Sequence, residues 1–139
     1  MKYNEVFRKP FSMDNGCYIW CNDGYQMCYT ILIDWESKED LDKLKRIVNL
    51  MNDVKIDSEG NAVEPFKFVG YSLKNDLIGA GDTEDEAKKA VLLTRGWGYL
   101  TGKGALGLPS EEARKIQLDF MKWTISTLKG KPIEFKEDI

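Results

Sequence analysis

Two β-rich runs, Cys17 to Cys21 and Gln26 to Asp34, flank Asn22-Asp23-Gly24-Tyr25. Asp-Gly between such runs favours a tight hairpin, because both central turn residues accept positive φ. The register this predicts pairs Cys21 with Gln26 and Ile19 with Cys28. Since side chains alternate along a strand, it puts Tyr18, Trp20, Met27, Tyr29 and Ile31 on one face, and Cys17, Ile19, Cys21, Cys28 and Leu32 on the other. Both faces are largely apolar. Next, Ser37 followed by Asp40 caps a helix over about 38 to 52, with Leu41, Leu44, Val48 and Met51 on one stripe. Residues 54 to 64, centred on Asp57-Ser58-Glu59-Gly60-Asn61, read as a turn-containing excursion or second hairpin. Phe66 to Leu73 reads as an aromatic and β-branched strand.

The second half is punctuated by glycine. Gly79-Ala80-Gly81-Asp82 reads as a loop leading into Thr83-Glu84-Asp85-Glu86, a capping box that opens a helix through Ala87, Ala90, Val91 and Thr94. That helix either runs on to about Leu100 or stops near Arg95, where Gly96, Gly98, Gly102, Gly104 and Gly107 begin to interrupt it. A last helix starts at Ser110, has Glu111 and Glu112 in its first turn, and carries Ala113, Ile116, Phe120, Trp123 and Leu128. Gly130 and Pro132 end it. The expected fold class is α+β: an antiparallel sheet of three to five strands with three helices packed on it. It forms one domain over residues 1–139, with 1–16 as an arm and 130–139 as a C-terminal tail.

Composition removes more functions than it suggests. The 139 residues are 42% hydrophobic and 31% charged, a mixture that builds one core without disulfides or metals. Twenty Lys and Arg against 23 Asp and Glu leave a net charge of −3, too balanced for a general nucleic-acid binder. There is no His, which removes the commonest general base, the Ser-His and Cys-His nucleophile pairs and the usual zinc and haem ligands. The longest strongly apolar run, Met27 to Ile33, is far below a membrane span, and the N-terminus lacks a signal pattern, so a cytoplasmic protein is expected. Cys17 and Cys21 lie about 13 Å apart on a strand, too far for a disulfide, and no CxxC pair supplies a zinc site. The three cysteines read as reduced thiols packed as small hydrophobes, with no cofactor.

Two places carry candidate function. Arg95, Thr101, Gly102, Lys103 and Gly104 could hold a phosphate or nucleotide, because bare glycine amides point at anion oxygens. The spacing is not that of a P-loop, since Gly104 follows Lys103 where Ser or Thr belongs, so a structural helix-to-helix connection competes with this reading. The second place is the hairpin face of Tyr18, Trp20, Met27, Tyr29 and Ile31, a candidate interface to a protein partner or a second copy. Helices covering both sides of the sheet are the competing arrangement. The carboxylates Glu84, Asp85, Glu86, Glu111 and Glu112 are explained by helix dipoles.

The pattern Pro10-Phe11, then Tyr18-Ile19-Trp20, Asp23-Gly24, Met27 and a helix ending Ile47-Val48-Asn49-Leu50-Met51-Asn52 resembles small uncharacterised proteins common in phages and mobile elements. The likeness covers the N-terminal third. It implies a setting, a phage or prophage accessory gene acting in the host cytoplasm, and carries no catalytic residues. Asp76 to Ala87 also looks like the strand-to-helix junction of HicB-type antitoxins, read here as shared capping chemistry because the rest of that pattern is not apparent. Taken together these features lead to a non-enzymatic, self-associating binding protein that occupies a partner protein, in a phage setting an inhibitor of a host defence or regulatory protein. The alternative is the phosphate or nucleotide binder.

Overall fold

The computed structural model describes residues 9–13, 18–21, 27–32, 37–56, 59–61, 63–89, 92–94, 101–102 and 107–135. Among them are seven strands, β1 (Phe11–Met13), β2 (Tyr18–Cys21), β3 (Met27–Leu32), β4 (Phe68–Ser72), β5 (Leu77–Gly81), β6 (Leu92–Thr94) and β7 (Lys131–Glu134), and three helices, α1 (Lys38–Met51), α2 (Glu84–Lys89) and α3 (Ser110–Leu128). All strands join one sheet in the order β1-β2-β3-β6-β5-β4-β7. The class is α+β, as expected. The sheet is mixed, because β7 runs parallel to β4 while the other pairs are antiparallel. It is also longer than three to five strands: the segment expected as an arm contributes β1, and the one expected as a tail contributes β7.

Local chemistry explains where α1 starts and stops. Ser37 Oγ accepts the Asp40 N–H at 3.3 Å, Glu39 and Asp40 complement the dipole, and Leu44, Ile47, Val48, Leu50 and Met51 are buried. The helix lies on the front of the sheet beside α3, whose Ala113, Ile116, Phe120, Met121 and Leu128 meet the same core as Phe11, Ile19, Val69, Ile78 and Ala80. An aromatic cluster ties edge strand to helix: the Phe120 and Trp123 rings stack at 5.4 Å, and Phe11 lies 6.2 and 5.9 Å from them. Such pairs add about 0.5–1.5 kcal/mol each beyond the area they bury.

The glycine-rich segment expected as a loop is instead the fully buried strand β5. Its register against β4 separates two rows. Val69 opposite Ala80 and Tyr71 opposite Ile78 belong to the front core, whereas Gly70 opposite Gly79 and Phe68 opposite Gly81 form the back row. A Cβ on Gly70 would lie 2.4 Å from the Phe135 ring and 2.7 Å from the Ala87 carbonyl oxygen, and one on Gly81 would lie 2.8 Å from the Ala87 N. The glycines are thus there to let α2 and Phe135 rest directly on the sheet backbone. That close approach, invisible to propensity, outweighs the poor strand tendency of glycine.

The helix expected through Ala90, Val91 and Thr94 ends at Lys89, and Leu92–Thr94 is strand β6. Sequence periodicity does not separate these choices, because a short apolar run fits either. Pairing decides it: Leu92, Leu93 and Thr94 stand opposite Leu32, Ile31 and Thr30. The 54–64 excursion closes on itself, with the Val63 N–H donating to the Lys55 carbonyl at 2.9 Å.

Candidate functional site

The hairpin bearing the proposed interface residues has the expected register next to its turn, with Trp20 opposite Met27, and then slips. Beyond an irregularity between Ile19 and Trp20, Ile19 stands opposite Tyr29 and Tyr18 opposite Thr30, leaving Cys28 as the extra residue of a bulge. The expected pairing of Ile19 with Cys28 is thereby corrected. Residues paired directly across a ladder share a face, so the Tyr29 position falls in the row of Ile19, which is fully buried in the front core. Trp20 and Met27 share another row, Tyr18 is one residue from Ile19, and Ile31 stands opposite Leu93. Strict two-residue alternation could not reveal this one-residue insertion.

Cover over the sheet is uneven. Among the described residues, the principal packing partners of the helices are β1, β4, β5 and one another, while β2 and β3 pack chiefly on their neighbours in the sheet. On the back, α2 and Phe135 lie over β4 and β5. Of the candidate ligand residues, Thr101 and Gly102 are described and half-buried; Arg95, Lys103 and Gly104 lie outside the described residues, as does Cys17.

The ionic chemistry elsewhere is occupied by the fold. Arg46 on α1 donates from Nε to the Glu64 carbonyl at 2.6 Å, from Nη2 to the Pro65 carbonyl at 2.8 Å, and from both Nη atoms to Asp82 at 2.9 and 3.2 Å. Its guanidinium lies 4.0 Å from the centre of the Phe66 ring. Asp82 in turn opens α2, where the Glu86 N–H donates to Thr83 Oγ1 and the Asp82 N–H to Glu86 Oε2. Arg46, Phe66, Asp82 and Glu86, with Glu39, Asp42 and Lys43, line a cleft of about 240 Å³. Arg114 of α3 donates to the buried Asp76 carboxylate and, at 2.7 Å, to the Leu73 carbonyl, pinning the β4–β5 turn. Ser110, Glu111, Arg114, Lys115, Leu118, Asp119 and Lys122 line a groove of about 590 Å³ along the outer side of α3. Both openings mix acids and bases. Among the described residues, no group of three or more Cys, Asp or Glu is placed to hold a metal ion, and no helix is long and apolar enough to cross a membrane.

The Arg46 hydrogen bond holds the Asp82 carboxyl below its usual value of 3.8; partial burial opposes this and the cation's charge reinforces it. A carboxylate with a depressed folded-state pKa contributes stability that is complete above its unfolded value and is lost as pH falls through the folded one. Stability should therefore decline on acidification below about pH 4. Asp82→Asn should flatten that decline in urea melts recorded from pH 2 to 6, and unchanged curvature would show the pair to be energetically idle.

Among the described residues, one buried side chain has no hydrogen-bond partner. Gln117 is fully buried on α3, and neither its Nε2 nor its Oε1 makes a hydrogen bond. Each such atom costs about 1–3 kcal/mol. Gln117→Met, close in shape, is expected to raise the stability by about 1–2 kcal/mol in the same melts. A loss of stability would mean that the amide is satisfied in solution. Compared with known protein families, with curated proteins and with solved structures, the chain matches none of them.

Proposed function

We propose that the protein is a non-enzymatic binding protein that self-associates and occupies a partner protein through the β2–β3 part of its sheet. The observation that carries this reading is the uneven cover: among the described residues the helices concentrate on β1, β4 and β5, while Tyr18, Trp20 and Met27 fall on strands that pack mainly within the sheet. Tyr and Trp supply large contact areas at small entropic cost, which is why they anchor interfaces. The chemistry agrees: the chain has no His to serve as a general base, and among the described residues Arg46 and Arg114 are engaged by carboxylates and carbonyls. The resemblance to phage accessory proteins supplies the setting, in which occupying a host defence or regulatory protein is inhibition.

Sedimentation of the full chain over a concentration series tests this reading. Trp20→Ala is expected to weaken self-association about 30-fold, the effect of an interface anchor worth about 2 kcal/mol, and Lys122→Ala on the far side of α3 should leave it unchanged. Equal association constants for all three proteins would reject the assignment.

A further inference from the structure

The two edges of the sheet decide how a partner can approach. A strand at an edge presents unpaired N–H and C=O groups, a template for adding another chain. We infer that both edges of this sheet are closed to strand addition, so that a partner or a second copy meets the protein on a face and not by extending the sheet. This rests on the binding-protein reading above and specifies the kind of contact it uses: a folded surface, not an extended peptide.

At one edge, β1, the Phe11 N–H donates to Asn52 Oδ1 at 2.6 Å, and Asn52 Nδ2 donates to the Phe11 carbonyl at 2.8 Å. In an antiparallel ladder both groups of a residue point the same way, so those of Phe11 point away from β2. The Asn52 amide, at the C-terminus of α1, takes at Phe11, the first of the two outward-facing residues of the three-residue β1, the place that a neighbouring strand would take.

At the other edge, β7, the Lys131 N–H donates to the Lys67 carbonyl and the Phe135 N–H to the Tyr71 carbonyl. Alternation then turns the backbone of residues 132 and 134 outward. Residue 132 is proline, which has no N–H to offer, and it lies exposed between the exposed charges of Lys131 and Glu134. Proline here costs the ladder nothing and removes a donor from the open side. Its outward position is also why β7 was concealed in the sequence, where Pro132 reads only as the end of a helix. Two unrelated devices thus serve the same end at opposite sides of the molecule.

Full-length Pro132→Thr restores the outward donor at an exposed position, and Asn52→Ala frees both groups of Phe11. Each is expected to raise the association constant for open-ended assembly about tenfold, equivalent to about 1.4 kcal/mol. Light scattering and thioflavin T fluorescence read this out, with circular dichroism confirming that the variants are folded. Wild-type protein should show only an association that saturates at a finite mass. Folded Pro132→Thr that assembles no more than wild type, or wild type that itself grows without limit and binds thioflavin T, would overturn the inference. Because this readout needs no partner, its failure is distinguishable from failure of the binding-protein reading.

Discussion

Arg114→Ala is expected to destabilise the protein by about 3 kcal/mol, the largest single-residue effect among the ionic contacts. The Asp76 side chain is 3% exposed and sits at the end of the β4–β5 turn with φ of 57°, a backbone region that Asp and Asn tolerate better than most residues. Arg114 compensates that buried charge and also holds the Leu73 carbonyl at the start of the same turn. Removing it takes the Arg114 cation from a carboxylate in the interior, which costs more than losing an exposed pair. The turn also registers β4 against β5, so its loosening should reach the front core through Ile78. Asn replaces the charge without disturbing the backbone, and Asp76→Asn combined with Arg114→Met should recover most of the loss. Urea unfolding of the wild type and these two variants measures this. A penalty below about 1 kcal/mol for Arg114→Ala would reduce the contact to a surface ion pair.

Gly70→Val is the second large effect, expected at about 3 kcal/mol or more, at the upper end for overpacking. A side chain at this position collides with two partners of different character. The Phe135 ring, on the segment after β7, can move, but the Ala87 carbonyl is helix backbone. Combining Gly70→Val with Phe135→Ala should therefore recover only part of the loss, with a coupling of about 1 kcal/mol between the sites. Simple additivity would mean that the ring does not rest on the glycine. The location matters for function because α2 and Phe135, the described cover on the back of the sheet, lie over β4 and β5, where glycine admits them.

How much of this could be read from the residues depends on the range of the forces involved. Local signals were sufficient for α1, where Ser37, Asp40 and the apolar stripe agree, for the capping box at Thr83 and Glu86, and for the Trp20–Met27 end of the hairpin. They failed wherever a distant element sets the conformation. Gly79-Ala80-Gly81 read as loop because glycine is poor in strands, and what makes this segment one is its pairing with Phe68–Ser72 together with the close approach of α2 at Gly81. Leu92–Thr94 read as helix because the partner that makes it a strand is β3, some 60 residues earlier. Arg46 and Arg114 could not be singled out at all: their carboxylate partners lie 36 and 38 positions away and are brought to them only by the folded sheet. The proposed contact residues were legible as an aromatic hairpin, but the bulge at Cys28, which moves Tyr29 into the row of Ile19, carries no composition signal.

The proposed interface is defined by which part of the surface is covered when molecules meet. Hydroxyl-radical footprinting of the full chain at low and high concentration tests it most directly, because Tyr, Trp and Met are readily oxidised and each reports its own accessibility. The prediction is that oxidation of Tyr18, Trp20 and Met27 slows as association proceeds, while residues along the outer side of α3 keep the same rate. Protection confined to α3, or oxidation of Tyr18, Trp20 and Met27 unchanged while the mass rises above the 15.9 kDa of one chain, would contradict it.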